Sequence, residues 1–104
     1  MSVTAIELAP EVAADFERIL DHLDRSNADE PAGRIREIVA ALDVLEHNPC
    51  MGCPLPGGNR ELVIGRRAHG YVALYRYVEE IDTVFVLAIR SQREAGYTRP
   101  VEDD

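Results

Sequence analysis

The apolar residues of this chain change period once, partway along. Val12, Phe16, Ile19, Leu20 and Leu23 recur at helical spacing, and so do Ile35, Ile38, Val39, Leu42 and Leu45. From residue 60 onward the apolar residues alternate instead. Between the two regimes lies Pro49-Cys50-Met51-Gly52-Cys53-Pro54-Leu55-Pro56-Gly57-Gly58-Asn59, whose prolines and glycines leave no regular element standing. A pattern that runs helical and then extended predicts segregated helices and strands, the α+β class.

The helical half divides in two. Pro10 suits the first turn of a helix, where its missing N–H costs nothing, and Glu11 suits the positive end of the helix dipole. The first helix is expected over about residues 10 to 25. Ser26-Asn27-Ala28-Asp29-Glu30-Pro31 is rich in turn and capping residues, and the second helix follows it, ending at Asn48-Pro49. Ahead of both, residues 2 to 8 alternate β-branched residues and read as a strand.

After the loop, strands are expected at Arg60–Ile64, Tyr71–Val78 and Thr83–Arg90, with Glu79-Glu80-Ile81-Asp82 as a hairpin turn. Tyr71, Ala73, Tyr75 and Tyr77 share one face of the middle strand; Val72, Leu74, Arg76 and Val78 share the other. The expected order is β-α-α-β-β-β, a helical hairpin packed on one face of a mostly antiparallel sheet. The other face is left for solvent or a partner.

With 104 residues the chain has enough surface to bury for one domain, placed at residues 1–99, with an acidic tail at 100–104. No apolar run reaches the roughly 18 residues of a membrane span and the N-terminus has no signal-peptide pattern, so a cytoplasmic protein with no membrane partner is expected. In that compartment Cys50 and Cys53 are expected as free thiols. A redox or metal role for Cys50, Cys53 and His47 lacks the helix opening or the fourth ligand it would need, since only His22 or His69 could supply that ligand. No metal and no cofactor are expected.

The net charge of −8 argues against a chain that coats itself on nucleic acid, and no sequence-specific DNA binding by this chain alone is expected. The charge is uneven. Residues 1 to 59 hold eleven acids against four arginines, whereas residues 60 to 99 hold seven arginines against five acids. There is no lysine, which has either a bland cause in a GC-rich genome or a functional one in planar, bidentate donors. Arg60, Arg66, Arg67, Arg76, Arg90 and Arg93 form either a cationic surface on the sheet side or ordinary ion pairs with Glu61, Glu79, Glu80 and Glu94. The tyrosines of the middle strand are either core or a stacking surface, while Tyr97 lies beyond the last strand.

Arg60-Glu61-Leu62-Val63-Ile64, His69-Gly70-Tyr71-Val72-Ala73-Leu74-Tyr75-Arg76-Tyr77 and Val84 to Tyr97, taken in that order and spacing, resemble the RelE/ParE toxins, the plasmid stabilization proteins of type II toxin-antitoxin systems. The resemblance spans nearly the whole chain. It implies the fold already read from periodicity, a cognate antitoxin as partner, and one of two targets: DNA gyrase in the ParE branch, or messenger RNA on the ribosome in the RelE branch.

Ribosome-dependent cleavage needs a base for the 2′-hydroxyl, cations for the transition state and an acid for the leaving oxygen. Where RelE-like toxins carry those groups, this chain has Val63, Gly65, Val72 and Ser91, and only Arg93 and Tyr97 stay in register. One charge-stabilising donor is worth about 3 kcal/mol of barrier, so the substitutions favour the ParE-like reading, in which no catalytic residue is required. Under it Arg60, Arg76, Arg90, Arg93 and Tyr97 are the expected partner-binding residues. A ribonuclease would have to rely on Arg93, Tyr97, Arg66 and Arg67, and a degenerate member that binds its antitoxin without toxicity is the third possibility.

Overall fold

The computed structural model describes residues 3–25, 31–65 and 70–92. Strand β1 is Ala5–Leu8, helix α1 Glu11–Arg25 and helix α2 Pro31–Asp43. Four more strands follow among the described residues: β2 Cys53–Pro54, β3 Arg60–Ile64, β4 Tyr71–Val78 and β5 Thr83–Ser91. The expected turn at residues 26 to 30, the expected acidic tail, His69, Arg66, Arg67, Arg93 and Tyr97 lie outside the described residues.

Both helices start as their local chemistry dictates. Pro10 precedes α1 and Glu11 sits in its first turn; Pro31 opens α2. Past Asp43 the chain tightens into a short 3-10 turn, Val44–Glu46, and Asn48 N–H closes back on the Val44 carbonyl at 3.2 Å before Pro49. Val12, Ile19, Ile38, Leu42 and Leu45 are buried, with Phe16 and Ile35 packed against them. Val39, expected on the same stripe, is 43% exposed, so the buried stripe of α2 is narrower than the sequence spacing suggests.

The strands form a mixed sheet in the order β1-β5-β4-β3-β2. Its long pairs, β3 with β4 and β4 with β5, are antiparallel, and β1 runs parallel to β5. The Pro/Gly-rich loop departs from expectation. Cys53 and Pro54 pair with Glu61 and Arg60, a two-residue edge strand, and Pro56–Gly58 make a 3-10 turn. Proline is tolerated there because an edge strand can lack a ladder donor on its outer side.

Tyr71, Ala73 and Tyr75 turn into the helix-side core with Leu62, Ile64, Val84, Val86 and Ile89. The tyrosines of β4 are therefore core, not a stacking surface, and Tyr77 packs against the same cluster. Each fully buried aliphatic or aromatic side chain contributes about 1.5–3 kcal/mol of transfer free energy, which makes this seam the main cohesive term.

The β4–β5 connection is held by its last residue. Asp82 adopts a positive φ of 47°. Its Oδ1 accepts from Thr4 Oγ1 and from the Tyr77 hydroxyl, both at 2.7 Å. Its carbonyl accepts from Ala5 N at 3.1 Å, so one aspartate joins the start of β1 to the hairpin. The two hydroxyl bonds hold the Asp82 carboxyl below the usual carboxylate range, and the bond to Asp82 is the main reason the Tyr77 phenol is pushed up.

Candidate interaction surface

Cross-strand neighbours stand on the same side of a sheet, so the register defines the face turned away from the helices. Arg76 faces Phe85 of β5, Leu74 lies between Ala88 and Glu61, and Val72 lies between Arg90 and Val63. Val72, Leu74 and Ala88 are buried, although they belong to the face opposite the helix-side core. Val63 is 62% exposed. Phe85, Arg76 and Arg90 are half-buried. The result is an apolar strip flanked by two arginines, with the half-buried Glu61 at its β3 side.

That composition depends on a β-bulge. The pairing steps from Tyr75↔Val86 to Leu74↔Ala88, leaving Leu87 as the extra residue. Before the bulge, Val84 and Val86 point into the core; after it, Ile89 does. Arg90 is thereby carried onto the outer face with Val72.

Three of the sequence-expected partner-binding residues are described, and each donates to a carbonyl of its own chain. Arg60 Nη1 donates to Cys50 O at 3.0 Å and to Gly52 O at 2.9 Å. Arg76 Nη1 reaches Gly57 O at 3.2 Å, at the far end of the same loop. Arg90 Nη1 reaches Ser91 O at 3.2 Å. The structure thus brings Arg76 and Arg90 together on one face, while Arg60 fastens the loop at the sheet's corner. A guanidinium presents a rigid fork of five donors, and bonds of this kind orient the fork.

Beneath that corner, Gly52 N–H donates to the Tyr75 hydroxyl at 2.8 Å in a buried contact. A side chain at residue 52 would meet Tyr75 Cε1 and Oη at 2.7 Å and Glu61 O at 2.9 Å, so only glycine fits. Burial pushes the Tyr75 phenol up, and burial also pushes up that of Tyr71, against the opposing charge and hydrogen bond of Arg34.

The row Val63–Val72–Arg90 bears on the chemistry directly. Val63, Val72 and Arg90 stand side by side across three strands, and in this row Arg90 is the one cation. Among the described residues no three His, Cys, Asp or Glu side chains gather where they could hold a metal ion. Cys50 and Cys53 are exposed free thiols. No described helix is long and apolar enough to cross a membrane.

Sequence reasoning passed over Asp15 and Arg18. Asp15 is buried, with Oδ2 accepting from Ile89 N at 3.0 Å and Oδ1 paired to Arg18 Nη1 at 2.9 Å. The signal was present, since Asp15 lies three residues after Val12 and four before Ile19, an acid inside an apolar stripe.

A two-helix hairpin packed on a mixed sheet thus leaves an outer face that carries apolar residues, Arg76, Arg90 and Glu61. The chain belongs to the family of ParE toxins of type II toxin-antitoxin systems: that family's model matches residues 6–96. No curated protein matches the chain. Among solved structures it is similar to the chromosomal ParDE toxin-antitoxin system of P. aeruginosa, at 20% identity and a TM-score of 0.67, covering 85% of this chain and 95% of that one. The toxin-antitoxin complex RelBE2 of Mycobacterium tuberculosis follows at 19% identity and 0.58, covering 90% and 97%. A mutant of the E. coli toxin RelE in the free state matches at 14% identity and 0.54, covering 91% and 88%. At these identities the likeness extends to the fold, and both branches of the RelE/ParE superfamily share it.

Proposed function

We propose that this toxin inhibits DNA gyrase by protein-protein contact in the cytoplasm and is neutralised by a cognate antitoxin. The observation that carries the reading is the Val63–Val72–Arg90 row, which offers an apolar strip and one guanidinium where cleavage of RNA would demand several cations. The ParE family match and the ParDE neighbour support the same branch. Binding asks only for complementary shape and charge, and a buried apolar centre rimmed by arginines meets that need. Arg76, Arg90, Arg93 and Tyr97 are the contacts assigned to partners, with Arg60 shaping the adjoining loop.

A ribonuclease reading retains one specific support, the register of Arg93 and Tyr97 with RelE-like toxins. Purified protein added to gyrase, and separately to translating ribosomes, decides between them. The proposal expects inhibited supercoiling or trapped cleaved DNA, with ribosome-bound message left intact. Codon-specific cleavage abolished by Tyr97→Phe or Arg93→Ala would replace it with the ribonuclease. Co-expression of the antitoxin should restore the growth that the toxin alone arrests.

A further inference from the structure

Strand β5 is paired unequally on its two sides. Against β4 it is matched along its whole length, from Val78↔Thr83 to Tyr71↔Ser91. On the other side β1 accompanies it only from Thr83 to Val86, and the last backbone bond there runs from Ala9 N to Val86 O at 2.9 Å. From Leu87 onward that edge has no strand beside it among the described residues, and helix α1 lies against it instead.

At this gap Asp15 and Arg18, one turn apart on α1, act as a substitute strand. Ile89 N–H donates to Asp15 Oδ2 at 3.0 Å, and Arg18 Nη2 donates to Ile89 O at 3.1 Å. Arg18 Nη1 donates to Asp15 Oδ1 at 2.9 Å, which closes the ring. In an antiparallel ladder the N–H and C=O of one residue both bond to a single facing residue, and here a carboxylate and a guanidinium divide that task. Asp15 is 1% exposed. Arg18 keeps 31% of its side chain exposed, and an ion pair with one buried and one part-exposed member contributes little net stability, so stability alone is a weak reason for these residues on α1.

Their position supplies the stronger reason. Ile89 is the second residue past the bulged Leu87 and the immediate neighbour of Arg90. A strand that slips by one residue turns every following side chain to the opposite face, and a bulge is where such a slip occurs. Gripping Ile89 by both of its backbone polar groups sets the phase of the strand after the bulge. Ile89 then enters the core and Arg90 emerges beside Val72 and Val63.

We propose that Asp15 and Arg18 are positioning residues which lock the register of β5 beyond its bulge and so hold Arg90 on the partner-binding face. The proposal rests on the reading of that face as the gyrase-contacting surface. It assigns to α1 a part in target binding that requires no contact between α1 and the target. Arg18 acts through the register of β5, so part of its effect on target binding should vanish once Arg90 is gone.

The test uses the full chain as wild type, Arg18→Ala, Arg90→Ala and the double variant, with two measurements. Residue-resolved amide exchange should rise at least about tenfold at Ile89 and Ser91 in Arg18→Ala, while Arg60–Ile64 stays unchanged. In gyrase supercoiling assays each single variant should need at least about tenfold more protein for half inhibition, and the double variant clearly less than the product of the two single losses. Unchanged exchange at Ile89 and Ser91, or losses that multiply in the double variant, would overturn the positioning role. If Arg18→Ala does not fold, the neutral pair Asp15→Asn/Arg18→Met removes the buried charge and answers both measurements. A wild-type protein without effect on gyrase sinks the target assignment instead, and the exchange measurement still decides the clamp.

Discussion

Tyr75→Phe removes one oxygen atom and should cost far more than its size suggests. Tyr75 is fully buried, and its hydroxyl is the acceptor for Gly52 N–H at 2.8 Å. Phenylalanine keeps the ring and its packing, so the cavity contribution is small; what is lost is the partner of a buried amide. An unsatisfied buried donor costs about 1–3 kcal/mol. Taking about 2 kcal/mol, the melting temperature of a domain of this size should fall by about 10 °C. With an m-value of about 2 kcal/mol/M the urea midpoint should fall by about 1 M. Thermal and urea unfolding followed by circular dichroism measure both. Gly52→Ala attacks the same contact from the other side and should cost at least as much, because its Cβ would lie 2.9 Å from the Glu61 backbone oxygen as well as 2.7 Å from the phenol. Since both substitutions break one contact, the double variant should be less destabilised than the sum of the singles. A Tyr75→Phe protein within about 0.5 kcal/mol of wild type would refute the reasoning and show that Gly52 finds another acceptor.

The remaining predictions address acid sensitivity, charge and the loop. Asp82 is depressed by bonds from Thr4 and Tyr77, so its contribution is present above the ordinary carboxylate pKa and is lost as pH falls through the folded value. Thr4→Val should therefore narrow the stability difference between pH 6 and strongly acid solution, read as urea midpoints across that range; an identical pH profile would dismiss the Thr4 bond as its cause. Arg76→Glu and Arg90→Glu should each weaken the antitoxin complex at least about tenfold in calorimetry with circular dichroism unchanged, and equal affinities would remove both from the interface. Gly58 has a φ of +96° and its Cβ would lie 3.3 Å from the Arg76 guanidinium, so Gly58→Ala should cost about 1–2 kcal/mol in unfolding experiments; a neutral result would mean the loop relaxes.

The extended half of the chain was legible residue by residue. Arg60–Ile64 and Tyr71–Val78 have the bounds that alternation predicts, and β5 runs one residue longer than expected. These strands are flanked by glycine, proline or turn residues and alternate against a single core, so local pattern and tertiary burial agree. The helices were legible from their apolar spacing, with Pro10 marking the first start. Helix α2, however, opens at Pro31, which the sequence placed in the turn, and ends at Asp43, earlier than the expected stop at Asn48-Pro49. The two-residue strand at Cys53–Pro54 was not, because its partner Arg60–Glu61 rather than its own sequence makes it a strand.

The candidate site divides along the same line. Alternation alone placed Arg76 with Val72 and Leu74, as the structure has it. For Arg90 strict alternation would put it beside Val84 and Val86 in the core, and only the bulge at Leu87 brings it to the outer face. The parallel pairing of β1 with β5, the Asp15–Arg18 grip on Ile89 and the Gly52–Tyr75 bond join residues between 23 and 78 apart in the chain. Periodicity records which residues want to leave water within one element. It carries no information on which backbone groups lack a partner after the elements have met, and those unsatisfied groups, the Ile89 amide and carbonyl and the Gly52 amide, are what placed the buried polar side chains.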